Sequence, residues 1–172
     1  MVLAPTVSFE FFPPNSPKAE EQLWDVMKKL SPLGPAFFSV TYGAGGSTRS
    51  RTERLVERIN NVMPVAPAAH LTCVGATRAE IEKLAQNLWN SGIKHIVALR
   101  GDLPKGELNY NARHNGYENA AELVSGLRKI ADFEISVAGY PEMHPASPDL
   151  AADIDNLKRK VDAGANRILT QY

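Results

Sequence analysis

His95-Ile-Val-Ala-Leu-Arg-Gly-Asp-Leu-Pro104 is the stretch that decides the reading of this chain. Residues 96–99 form a short, unbroken apolar run, which suits a strand covered on both faces, as in a parallel sheet flanked by helices. The character then changes abruptly. Arg100, Gly101 and Asp102 set a cation, a free backbone and an anion at the C-terminal end of that strand. Burying unpaired charges is costly, so this cluster is paired, hydrated or used. In α/β folds, ligands gather at this end of the strands. Two readings stay open on these residues alone: a solvated turn fixed by an Arg–Asp pair, or part of a binding site.

Working outward, strand-like and helix-like segments alternate at a spacing of about 30 residues. Strands are expected at 7–12, 37–41, 65–73, 134–139 and 167–171, besides the one at 96–99. Ser16 followed by Pro17 starts the first helix, with Leu23, Trp24, Met27 and Leu30 as its apolar stripe. Leu55, Val56, Ile59 and Val62 mark the second. Thr77 and Glu80 form a capping box for the third, which Gly92 ends. Leu123, Val124, Leu127 and Ile130 mark the fourth. Ser147 and Pro148 are expected to cap a fifth, with Leu150, Ile154, Leu157 and Val161 on one face and Gly164 at its end. Polar loops run over 42–48 and 103–116.

Right-handed crossovers make such a sheet parallel. An open doubly wound sheet and a βα barrel both fit. The polar residues decide between them. Glu10, Thr41, His70, Asp102, His144 and Gln171 fall at or just past the end of every strand in turn, and only a barrel gathers all its strand ends at one mouth. The expected fold is therefore α/β, a (β/α)8 barrel of TIM type, in one domain over residues 1–172. Such a barrel has eight strands and about 250 residues. Only about the first six units are visible, so two strand edges are left open, and open edges invite association with other copies.

Composition narrows the function. Of 172 residues, 44% are hydrophobic, enough for a packed core. Lys and Arg number 19, as do Asp and Glu, so no net charge recommends a nucleic acid or an anionic membrane as partner. Cys73 is the only cysteine, which excludes an internal disulfide, and it reads as a small core residue. No apolar run approaches a membrane span, and a cytoplasmic location is expected. His70, His144, Asp102 and Glu10 include metal-ligating types, but no His-x-His or His-x-x-x-His pair sets two ligands on one face.

The sequence resembles the methylenetetrahydrofolate reductases over nearly its whole length. The blocks that carry the resemblance are residues 8–14 (SFEFFPP), 39–44 (SVTYGA), 70–73 (HLTC), 99–102 (LRGD), 140–145 (YPEMHP), 156–160 (NLKRK) and 162–166 (DAGAN), followed by Thr170 and Gln171. The resemblance implies FAD at the mouth of the barrel, NAD(P)H as reductant and 5,10-methylenetetrahydrofolate as substrate, reduced to 5-methyltetrahydrofolate. It implies that Glu10 is the general acid that opens the one-carbon bridge. The flanking Phe9, Phe11 and Phe12 suggest a desolvated carboxyl with a raised pKa. It implies that Asp102 lies near flavin and folate and stabilises a cationic intermediate. Thr41, His70, Arg100, Gly101, Tyr140 and His144 match flavin-contacting positions, and Ala120 a position near the adenine. Asn156, Arg159 and Lys160 match residues on the phosphate and adenosine half, and Gln171 a substrate contact.

Overall fold

A computed structural model describes residues 6–43, 49–102 and 115–171. Of the expected loops at 42–48 and 103–116, residues 44–48 and 103–114 lie outside these. The element order is β1 (Phe9–Phe11), α1 (Pro17–Leu30), β2 (Phe38–Val40), α2 (Arg49–Val62), β3 (Pro67–Thr72), α3 (Arg78–Asn90), β4 (His95–Leu99), α4 (Ala120–Ile130), β5 (Glu134–Gly139), α5 (Leu150–Asp162) and β6 (Arg167–Thr170). All strand pairs are parallel and the sheet order follows the chain, β1-β2-β3-β4-β5-β6. A sheet whose neighbours in space are neighbours in sequence, with a helix after each strand, is an arc of a βα barrel. The expected first six units of a TIM-type barrel are what the chain forms.

The two sheet faces bury different things because side chains alternate along a strand. The outer face packs under the helices and carries the main core, including Phe38, Val40, Leu71, Ile96 and Ile135 with Met27, Ile59, Ile81 and Leu127 from the helices. The inner face carries a small apolar group of Phe37, Ala68 and Val97, with Leu99 and Leu169 against it. Polar side chains also sit on that inner face. His95 and Ser136 are both buried there, with the imidazole Nε2 2.8 Å from the hydroxyl.

Helix starts follow the expected capping chemistry, with one exception. Ser16 accepts from the Ala19 amide with Pro17 behind it, and Thr77 and Glu80 close their reciprocal box. The fifth helix is not capped by Ser147 and Pro148. Asp149 is its cap, accepting from the Ala152 amide, and the helix begins at Leu150. An ionised carboxylate one residue nearer the helix wins that place. Ser147 instead donates its hydroxyl to Asp153, 2.8 Å away. The stripe on that helix forms, but much of it is open: Leu150, Ile154 and Val161 are among the exposed large apolar residues, as is Ile168 on β6. Among the described residues, no helix is long and apolar enough to cross a membrane.

Candidate functional site at the strand ends

A cavity of about 400 Å³ lies over the C-terminal ends of the strands. Its wall takes Glu10 from β1, Thr41 from just past β2, His70 from β3, and Arg100, Gly101 and Asp102 from the segment after β4. Ala120 comes from the first residue of α4, Tyr140 and His144 from the segment after β5, Asn156 and Lys160 from α5, and Gln171 from past β6. All the residues singled out from sequence line this one cavity except Arg159. That residue is exposed on α5 and does not reach the wall. One residue along a helix is a turn of about 100°, so Lys160 and Arg159 point differently.

Glu10 departs from the sequence expectation. Phe11 and Phe38 meet edge to face at 5.2 Å on the outer face, while Glu10 points inward, away from them. Its side chain is 51% exposed, with Oε2 3.2 Å from His70 Nε2 and 3.4 Å from the Ser39 hydroxyl. The close contact with His70, helped by the imidazole's charge and that hydroxyl, outweighs partial burial and lowers the Glu10 pKa below 4.5. The expected rise does not occur, because Phe9 and Phe11 are on the opposite face and Phe12 is 77% exposed.

The far wall is a braced segment. Tyr140 and His144 stack edge to face at 4.6 Å. Met143 takes a φ of 72°, a conformation costly for a side chain with a Cβ. Asp153, buried in the first turns of α5, holds this shape by accepting from the His144 amide at 3.2 Å and from Ser147. Lys160 is buried with its ammonium on the Ala138 carbonyl at 2.6 Å, and desolvation lowers its pKa while Asp153 opposes that. Gly101 has a φ of +93°, and a Cβ there would lie 2.9 Å from a Val74 methyl and 3.0 Å from Thr72 Cβ. Only glycine lets the backbone pass so close.

The wall also includes Thr72, Leu99, Asn119 and Ser147, which sequence reasoning did not select. Two carried a usable signal. Thr72 is two residues past His70, hence on the same face of the same strand. Asn119 is the helix cap beside Ala120, accepting from the Glu122 amide. Cys73 is buried, bonds weakly to the Leu99 carbonyl, and has its thiol pushed up to about 12 by burial, so it is core and not a nucleophile.

Parallel strands in chain order, helices outside and a polar cavity over the strand ends define an arc of a TIM-type βα barrel. The same arrangement occurs in a phosphoenolpyruvate phosphomutase of Streptomyces platensis (TM-score 0.64, 12% identity, 98% of this chain and 60% of that one). It also occurs in a phosphonomutase of Burkholderia cenocepacia (TM-score 0.60, 14% identity, 96% and 68%). At such identities the likeness is one of fold. Residues 3–172 match the family model for methylenetetrahydrofolate reductase, and the chain belongs to that family. A Salmonella typhimurium 5,10-methylenetetrahydrofolate reductase is 51% identical over 166 residues, covering 96% of this chain and 54% of that protein. The Arabidopsis thaliana methylenetetrahydrofolate reductase (NADH) 1 is 41% identical over 175 residues, covering 95% and 30%. The chain spans about half the length of the bacterial relatives it matches.

Proposed function

We propose that the cavity binds FAD and that the chain serves the reduction of 5,10-methylenetetrahydrofolate to 5-methyltetrahydrofolate with NAD(P)H. The observation that carries this is the gathering of Glu10, His70, Asp102, Tyr140, His144 and Lys160 on one wall, in a chain of this family.

The residues present fit a flavin. Thr72 Oγ1 is a buried hydroxyl without a hydrogen-bond partner among the described residues, at the cavity wall. Such a group suits a ligand with a polar ring edge. Thr41, His70, Arg100 and Gly101 would hold the ring end, with Tyr140 and His144 as its aromatic side. Ala120 would sit by the adenine, while Asn156 and Lys160 would take the phosphate half, where a buried ammonium suits an anion. Arg159 would contribute there only by swinging in from the surface. The flavin, when bound, supplies hydride transfer between nicotinamide and folate.

The chain's own residues do the rest. Glu10 delivers a proton to a bridge nitrogen of the folate, so that the ring opens to an iminium cation. Asp102, exposed at the cavity rim, places a carboxylate where that cation is favoured. Gln171 orients the folate. This reading places the chain in the cytoplasm, in a self-associated form.

A second reading, a flavin- or folate-binding fragment with weak turnover, is favoured by coverage: the chain spans 54% of the Salmonella typhimurium relative. One experiment tests both readings. The flavin-loaded chain is reduced anaerobically and mixed with 5,10-methylenetetrahydrofolate. Flavin reoxidation that Asp102→Asn slows by about 10-fold or more supports the reductase reading. Flavin bands without reoxidation support the fragment. Absence of flavin bands contradicts the reductase reading and a flavin-binding fragment alike.

A further inference from the structure

We propose that Glu10 and His70 form a proton-sharing pair in which the buried imidazole recharges the carboxylate. This goes beyond a lone acid at Glu10 and rests on the reading above for the identity of the final proton acceptor.

The geometry spans three strands. Glu10 on β1 and Ser39 on β2 are direct partners in the sheet, and the Glu10 side chain reaches across to His70 on β3. Oε2 is 3.2 Å from His70 Nε2 and 3.4 Å from Ser39 Oγ. Exposure is unequal: 51% for the Glu10 side chain against 8% for His70. Water therefore reaches the pair from the Glu10 side, and the imidazole lies behind it.

That asymmetry has a chemical consequence. Glu10 is held as a carboxylate near neutral pH, so alone it has no proton to give. A ligand filling the cavity covers the exposed side of Glu10 and removes water as a source. His70 is then the protonatable group still in contact. The other ionisable groups on the wall are Tyr42 after β2, Arg100 and Asp102 after β4, Tyr140 and His144 after β5, and Lys160 on α5. On β4, His95 shares an electrostatic interaction with His70. Of the described residues, only His70 and Ser39 act appreciably on the Glu10 carboxyl.

The His70 Nε2–H bond breaks as an O–H bond forms on Glu10. That O–H bond then breaks as an N–H bond forms on the folate's bridge nitrogen, which keeps the electron pair of the C–N bond it loses. His70 is left neutral. Once product leaves, water protonates Glu10, and the proton passes back to His70.

The test uses the whole chain, labelled with ¹³C in glutamate and ¹⁵N in histidine, without ligand, titrated from about pH 3 to 9. In a sharing pair the Glu10 carboxyl and the His70 ring report the same two steps. His70→Gln leaves a single Glu10 step, moved to higher pH. An unchanged Glu10 curve in that variant overturns the pair. If His70→Gln fails to fold, Glu10→Gln reads the same coupling from the His70 ring, whose two steps must become one; two steps persisting there overturn it equally.

A kinetic arm separates relay from scaffold. With folate and reduced flavin, His70→Gln loses about 10-fold or more in reoxidation at pH 7 and regains several-fold at pH 5, where solvent protonates Glu10 before the ligand covers it. Equal loss at both pH values overturns the relay. A wild-type chain inert at both pH values, with its shared titration intact, overturns the folate reading and leaves the proton sharing standing.

Discussion

His95 and Gly126 show how little room single residues have here. Burial pushes the His95 pKa down to about 4, so the folded chain keeps this imidazole neutral where the unfolded chain protonates it. The unfolded state then binds more protons below about pH 6.5, and stability rises with pH across that range. The contribution is complete above pH 6.5 and is lost as pH falls toward 4, by up to roughly 3 kcal/mol. Urea melts at pH 4.5 and 7.5 should show a smaller difference for His95→Gln than for the wild type. An equal difference assigns the acid sensitivity elsewhere. Gly126, inside α4, has no turn to make, yet a Cβ there would lie 2.0 Å from Tyr117 Oη. That hydroxyl is fixed on Glu82 at 2.9 Å, and the Arg78 guanidinium covers the ring at 4.7 Å. Gly126→Ala should therefore cost about 1–3 kcal/mol in a thermal melt, although alanine is the better helix former. A stabilised variant contradicts the packing.

Two side chains set how elements meet. Arg128, on α4, donates to the Phe133 carbonyl at 2.6 Å, to the Gly164 carbonyl at 2.7 Å through Nη2, and to Asn166 Oδ1. One planar fork thus fastens the starts of β5 and β6 to a helix. Lysine has no such fork, so Arg128→Lys should lose about 2–3 kcal/mol in chemical denaturation despite keeping the charge. A loss under half that amount argues against the fork. Asp153 does the corresponding work at the cavity, where it ties α5 to the segment after β5. Asp153→Ala should expose the His144 amide and speed its hydrogen exchange about 10-fold or more, while β3 amides keep their protection. Unchanged exchange at His144 contradicts the bracing role. Elements were legible where the signal is local. The cap pair Thr77–Glu80 and the apolar runs needed no tertiary knowledge. The start of α5 is not legible in the sequence because Ser147 and Asp149 are both capping types, and only the structure shows Ser147 turned to Asp153 and Asp149 on the Ala152 amide.

At the scale of the whole molecule, strand alternation and polar strand ends revealed the barrel arc, because parallel βα units repeat the same problem six times. What sequence did not reveal is which apolar surface stays open. The stripe of Leu150, Ile154 and Val161 has the same periodicity as a buried one, and only the tertiary structure shows it facing outward. Site residues were legible as types at strand ends. The charge state of Glu10 was not, since it depends on a partner two strands and 60 residues away. The central claim is that one cavity over the strand ends holds the flavin. Titrating FAD into the purified chain and into Ala120→Trp, which fills the wall at the start of α4, tests it directly. The account predicts saturable binding of one flavin per chain that the tryptophan abolishes without unfolding the protein. Equal binding by both chains, or none by the wild type, contradicts it.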